Sequence, residues 1–193
     1  MWRGLLFALL LASGTIQADE LKAVAQQLMT PALLQGSFTQ HKHIRVLSAP
    51  LASQGQFSIV RGYGVIWRIQ QPMQSEMIIT EDGIYGEDVD DDRAMAYIGR
   101  ILNSILAGEL SALTRQFDVT VKQSDKHDWA LLLEPRSSIM ARAISHIELE
   151  GDKHIRQLTL HEADGDKTGI RFSDFSYSDS ADDDIIDVFP SSG

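Results

Sequence analysis

The chain of 193 residues contains no cysteine, and this absence excludes several kinds of site. A disulfide scaffold, a zinc–thiolate centre, a cysteine nucleophile and a lipid-modified cysteine all require the missing thiol. The sequence also lacks an apolar run of the roughly 20 residues that a transmembrane helix needs. Positive charge is scarce, because 17 Lys and Arg stand against 27 Asp and Glu, for a net charge of -10. We therefore expect no binding to nucleic acid or to an anionic membrane surface.

Motifs for catalysis or cofactor binding are missing as well. The sequence has no G-x-S-x-G nucleophile elbow, no glycine-rich phosphate loop and no pair of carboxylates in a catalytic frame. His41 and His43 share one face of a predicted strand, without a third metal ligand nearby. The other histidines are scattered in the sequence and predict no cluster: His127, His146, His154 and His161. We therefore predict no enzymatic activity, no cofactor and no metal site.

The first 18 residues have the pattern of a signal peptide. Arg3 gives a short positive region, residues 5–12 are apolar, and the small residue Ala18 ends a short segment typical of a cleavage site. We predict export with cleavage near Ala18, which leaves residues 19–193 as a single domain. Export without disulfides favours the bacterial periplasm over a eukaryotic extracellular space.

The hydrophobic pattern predicts helix, strands, helices and then strands again. A first helix is predicted over residues 19–29, and a second follows from apolar residues at intervals of three and four between 95 and 106. The predicted strands are residues 33–42, 54–61, 65–70, 76–80, 117–122, 129–134, 145–150, 155–162 and 169–175. This order predicts an α+β, mainly β fold, in which a strongly curved antiparallel sheet or open barrel holds the second helix against its concave face.

One predicted strand carries a cation among apolar groups. Alternation places Phe57, Ile59 and Arg61 on one face. Val65 and Trp67 share the corresponding face of the next strand. A buried guanidinium without a partner is costly, so we expect Arg61 to have a specific acceptor.

Short motifs in a characteristic order link the chain to a known family. They are Phe38-Thr39-Gln40, Gly55 leading to Arg61, Trp67 with Pro72, Asp82-Gly83 and the closing Val188-Phe189-Pro190. In this order, behind a signal peptide and without cysteine, the sequence resembles the periplasmic outer-membrane lipoprotein carriers of the LolA family. It departs from the family where Gly62 replaces the usual proline and where acidic residues crowd 88–92 and 182–184. These departures predict a divergent member, which leaves open whether it is the main carrier or a specialised paralogue for another lipid.

The resemblance implies a fold, a cargo and a set of partners. It implies an incomplete antiparallel β-barrel closed by a helical lid, whose apolar cavity takes the acyl chains of lipoproteins or of a related lipid. Arg61 corresponds to an arginine that hydrogen-bonds lid carbonyls and so acts as a lid latch. The implied partners of this expected monomer are an inner-membrane ABC-type donor complex and an outer-membrane LolB-like acceptor.

The resemblance and the alternation together assign two sets of contact residues. The expected cavity wall is Phe38, Phe57, Ile59, Val65, Trp67, Ile69, Met77 and Ile79. The expected lid contacts are Met95, Ile98, Ile101, Leu102 and Ile105. Two other functions stay open on the same scaffold, a lipid-sensing regulatory protein and a specialised glycolipid-binding protein. A periplasmic lipase would additionally require esterase activity.

Overall fold

The computed structural model describes residues 13–86, 93–106, 110–125 and 127–190, with the backbone alone for 13–18, 93–96 and 106. The helices are α1 (Ser13–Gln27), α2 (Arg93–Leu106), α3 (Leu110–Leu113) and α4 (Asp183–Ile186), and Met140–Arg142 forms a 3-10 turn. The strands of the first half are β1 (Leu33–His43), β2 (Leu51–Val60), β3 (Gly64–Gln71), β4 (Ser75–Ile79) and β5 (Ile84–Gly86). Those of the second half are β6 (Phe117–Ser124), β7 (Trp129–Pro135), β8 (Ile144–Gly151), β9 (Ile155–Glu162) and β10 (Lys167–Ser178).

The ten described strands form one antiparallel sheet in the order β5-β4-β3-β2-β1-β10-β9-β8-β7-β6. Each strand pairs with its sequence neighbour except at the centre, where β1 pairs with β10 and joins the two halves. The edge strands β5 and β6 do not pair with each other, so the curved sheet stays unclosed. The predicted fold, a mainly β incomplete barrel with a few helices, is confirmed.

The main hydrophobic core lies on the concave face of this sheet. Inward residues of the strands pack there with Val24 of α1 and with Ile98, Ile101 and Leu102 of α2. The helix α2 contacts β2, β3, β4 and α3. Full burial of one aliphatic side chain contributes about 1.5–3 kcal/mol, so this packing stabilises α2 more than its intrinsic helix propensity does.

The outer face of the first half is also covered. Leu33, Val60 and Ile66 form a second apolar cluster with Phe189, and side chains of α4 pack against it. The alternation correctly places Val60 opposite to Ile59, but the C-terminal segment buries that side as well. The Phe-Pro motif near the C-terminus therefore has a packing role on the outer face.

Several predicted boundaries differ from the structure, and two of them bear on the signal peptide and on Arg61. Helix α1 begins at Ser13, so its backbone runs through the predicted cleavage position at Ala18. Strand β2 starts at Leu51 and ends at Val60, and Arg61 therefore follows the strand instead of ending it. The rest of the predicted signal peptide, residues 1–12, and the acidic run at 88–92 lie outside the described residues. Within the described part, no helix has the length and apolar character required to cross a bilayer.

Two glycines lie opposite aromatic side chains in the pairing of β1 with β2. Gly55 lies opposite Phe38 across β1 and β2, and Gly36 lies opposite Phe57. A Cβ atom at Gly55 would lie 1.9 Å from the carbonyl oxygen of Arg68 on β3. The register of β2 and β3 shifts at the same point, between Gln54 and Gly55. The close approach of the two backbones therefore requires glycine at this β-bulge.

We predict that Gly55→Ala destabilises the protein, because the added methyl group meets backbone that cannot move away alone. The expected loss is about 1–3 kcal/mol of unfolding free energy, measured by urea denaturation. Gly83→Ala is the matched control, since no atom lies within 4 Å of its added Cβ. Equal urea midpoints for the two variants would contradict the bulge as a tight packing point.

Candidate functional site

Aromatic side chains from four strands form the floor of the concave face. Phe38 stacks on Trp67 with 3.8 Å between ring centroids. Phe172 meets Phe57 edge-on at 5.3 Å and Trp67 edge-on at 6.2 Å. The pairing explains this arrangement, because Phe38 lies opposite Phe172 across β1 and β10, and Phe57 lies opposite Trp67 across β2 and β3. Offset and edge-to-face contacts of this kind add to the energy of burial.

The structure brings all eight residues of the expected cavity wall into one cluster. Six of them are buried: Phe38, Phe57, Ile59, Val65, Trp67 and Ile79. The other two, Ile69 and Met77, are partly buried. They share the concave face, as the alternation predicts. Whether they contact an acyl chain stays a prediction.

Helix α2 lies across this aromatic floor. Four of the expected lid contacts are at most 5% exposed: Ile98, Ile101, Leu102 and Ile105. Met95 lies in the described backbone of α2, but its side chain is outside the described part. At Gly99 the helix approaches β4 so closely that an added Cβ would lie 2.3 Å from Cγ2 of Ile79. The helix therefore fills the space above the floor in this state of the protein.

The placement of Arg61 differs from the expected one. The chain turns directly after β2, where the amide of Tyr63 donates to the carbonyl of Val60 at 3.0 Å. Arg61 lies in this turn with an exposed side chain, so the predicted burial of its guanidinium among apolar groups is wrong. Its Nη1 donates to the carbonyl of Thr30 at 2.7 Å, in the connection between α1 and β1. The acceptor found among the described residues is thus not in the lid.

A cavity of about 1060 Å³ opens beside Arg61, at the edge of the space that α2 covers. It is bounded by the turns that follow β2 and β4, by α2 and by α3. Its lining includes three arginines, two acidic residues and several apolar residues, among them Arg61, Arg100, Arg115, Glu81, Asp82, Ile101 and Phe117. Arg100 also lies over the ring of Tyr97, 5.5 Å from its centroid. The sequence pattern predicts a cavity within the apolar sheet but not this polar mouth, because the residues that line the mouth come from five separate segments.

The outer face of the second half carries a cluster that the sequence analysis missed. The ligand atoms of His146, Glu148 and His161 all lie within 4.8 Å of one another. The two imidazoles stack with centroids 4.0 Å apart, and Nε2 of His161 lies 3.3 Å from Oε2 of Glu148. Partial burial lowers the pKa of His146 below its ordinary value, and the nearby His161 lowers that pKa further.

A β-bulge produces this juxtaposition. Ile144 lies opposite Glu162, but His146 lies opposite His161, so the register shifts by one residue at Ser145. Without the bulge, His161 would face Ser145. The i, i+2 spacing of His146 and Glu148 is a signal in the sequence that these two side chains share one face of a strand. The bulge that brings in the neighbouring strand leaves no clear signal in the sequence.

The remaining histidines join no such group in the described part of the chain. His154 is buried, and its ring stacks on Phe175 with 4.8 Å between centroids. Burial lowers the pKa of His154, because the protonated ring would lose its hydration there. His127 is exposed in the loop between β6 and β7.

Solved structures with a similar fold match most of the chain. A LolA superfamily protein from Nitrosomonas europaea has 10% identity and a TM-score of 0.48, over 88% of this chain and 96% of that one. MucB has 16% identity and a TM-score of 0.51, over 90% of this chain and 62% of that one. The MucA/MucB complex of Pseudomonas aeruginosa aligns at 14% identity and a TM-score of 0.47, over 89% of this chain and 60% of that one. At these identities, the likeness to MucB shows the fold alone.

A search among curated proteins found no match. In contrast, the family model of the outer membrane lipoprotein carrier protein LolA matches residues 31–187. The match runs from just before β1 to just after α4, and so includes the whole sheet, α2, α3 and all of the polar mouth except Phe189 and Pro190. Since this range is more than half of the chain, the protein belongs to the LolA family.

Proposed function

We propose that the protein is a periplasmic carrier that shields the acyl chains of a lipoprotein or a related lipid between its concave sheet and α2. Membership of the LolA family supports a lipid-binding protein of the periplasm, and a binding role in place of catalysis. The proposed carriage of acyl chains is based on one observation, which is the packing of an amphipathic helix over an aromatic concave face. The same apolar surface serves either the helix or an acyl chain.

The energetics suit a reversible carrier. Each methylene removed from water contributes about 0.8 kcal/mol, so a 16-carbon chain resists exposure to water by about 12 kcal/mol. A rigid open cavity would hold such a chain too tightly for release without ATP. When α2 returns to the sheet, it recovers burial of Ile98, Ile101 and Leu102, and this offsets part of the energy lost on release.

The buried indole of Trp67 adds a polar feature to the apolar floor. Its Nε1 is buried, and no hydrogen-bond acceptor for it lies among the described residues. A buried N–H without an acceptor costs about 1–3 kcal/mol. The ester or amide carbonyl of an acylated ligand supplies the missing acceptor once α2 moves aside.

The polar mouth around Arg61 suits the polar end of the cargo, and Arg61 also acts on the position of α2. The guanidinium fixes the connection between α1 and β1 through Thr30. It shares the mouth cavity with Asn103 and Ser104, which lie in the last turn of α2. A cation favours the carbonyl end of a helix, so Arg61 stabilises the closed position of α2 and keeps a modified form of the expected latch role.

The family supplies the proposed partners. An inner-membrane ABC-type complex loads the carrier, and a LolB-like acceptor at the outer membrane receives the cargo. The net charge of -10 favours docking to basic surfaces on both. Transfer to an acceptor separates this function from lipid sensing, in which cargo would stay bound while a signalling partner responds.

We predict that lipids with brominated acyl chains quench the fluorescence of Trp67, because an entering chain replaces α2 above this ring. The measurement uses Trp129→Phe in the chain from residue 19 onward, which lacks Trp2 and keeps Trp67 on β3 as its one tryptophan. Trp67→Phe is the matched control, since it keeps the equally buried Trp129 on β7, six strands away in the sheet order. Stronger quenching of Trp129 than of Trp67, or no quenching of either, would contradict the assigned cavity.

We predict that Arg61→Leu retains more lipid than the wild type during purification from periplasm, because the weakened closure of α2 competes less with cargo. Mass spectrometry of the extracted lipid gives its amount and identity. Arg171→Leu, on an exposed position of β10, is the control for an added surface leucine. Equal lipid in the three proteins would contradict the role of Arg61, and empty proteins throughout would contradict carriage itself.

A further inference from the structure

The outer face of the second half carries chemistry that lipid carriage does not use. His146 and Glu148 project from β8, and His161 projects from β9 directly opposite His146. This face lies on the other side of the sheet from α2. From these three side chains we infer a binding site for a divalent transition-metal ion such as Zn²⁺, held by two imidazoles and one carboxylate.

The geometry is close to that of a metal site. Ligands of one zinc ion lie about 2 Å from the metal, and therefore less than about 4 Å from one another. The three ligand atoms here lie within 4.8 Å of one another, on two half-buried imidazoles and one exposed carboxylate. A small rotation brings them to one ion without any change in the backbone, because the strand pairing already fixes their Cβ positions.

A second contact orients one of the ligands. Nδ1 of His146 lies 3.1 Å from the hydroxyl oxygen of Ser145, the bulged residue. This contact occupies one ring nitrogen and leaves Nε2 as the metal ligand, as a hydrogen bond to the other ring nitrogen does in known sites. The bulge thus places His146 opposite His161, and its residue Ser145 also orients the ring of His146.

The charges around His146 have both signs. Besides burial and His161, Lys167 of β10 lowers the pKa of His146, whereas Glu148 and Glu134 on β7 raise it. Two neutral imidazoles with a carboxylate form a donor set that suits Zn²⁺, Cu²⁺ and Ni²⁺. Mg²⁺ and Ca²⁺ require oxygen ligands throughout, which this cluster does not provide.

The test is titration of the full chain, purified without a histidine tag, with Zn²⁺ in a calorimeter. We expect one ion per chain for the wild type and affinity at least about 10-fold weaker for His161→Ala and Glu148→Gln. The matched controls are His127→Ala, which removes an exposed loop histidine, and Glu150→Gln, which removes the next outward carboxylate on β8. Both controls should bind as the wild type does.

A second readout keeps the test independent of heat signals. Zn²⁺ should raise the thermal unfolding midpoint of the wild type and of both controls, since the ion binds the folded hairpin of β8 and β9. The midpoints of His161→Ala and Glu148→Gln should not move. Equal zinc binding by all five proteins, no binding by the wild type, or equal binding of Mg²⁺ would overturn the inference. None of these outcomes bears on lipid carriage, because no variant touches the concave face.

Discussion

The packing of α2 on the concave face is the interaction on which the rest of the structure depends. An unclosed sheet with a row of aromatic side chains on its inner side cannot stay exposed to water without a large cost. Ile98, Ile101 and Leu102 cover that row and are almost fully buried themselves. Gly99, a poor residue for a helix interior, is needed because the helix backbone lies so close to Ile79. Because this glycine lowers the intrinsic helix propensity of α2, the helix gains most of its stability from packing on the sheet.

The unclosed sheet and the covering helix belong together. The sheet is open because its two edge strands, β5 and β6, do not pair with each other. Helices α2 and α3 lie between these strands in the sequence, so the opening of the sheet and its cover come from the same stretch of chain. The polar mouth lined by Arg61 and Arg115 lies where the cover meets the rim. An apolar surface and a polar surface thereby lie next to each other, as the proposed carriage of a lipid with a polar end requires.

Local patterns predicted most of this architecture, and the misses have physical causes. Period-two alternation identified Phe57 and Trp67 as inward residues because the concave face is strongly apolar. The same rule failed for Arg61, because β2 ends one residue earlier and a turn re-aims the side chain. The pairing of His146 with His161 escaped prediction, because a one-residue bulge changes which residues face each other without changing the composition of either strand. Long-range register and strand ends depend on backbone contacts that hydrophobic periodicity does not encode.

A reversible covalent lock on α2 tests the central claim most directly. A Cβ at Gly99 would lie 3.0 Å from Cβ of Ile79, which is shorter than the separation of about 3.5–4.5 Å found in disulfides, so α2 must shift by about 0.5 Å for the bond to form. Since the chain has no other cysteine, the double variant Ile79→Cys, Gly99→Cys forms one intramolecular disulfide between β4 and α2. We expect that the oxidised protein does not bind acyl chains and that reduction restores binding. Equal lipid binding by the oxidised and reduced forms would show that cargo does not enter beneath α2.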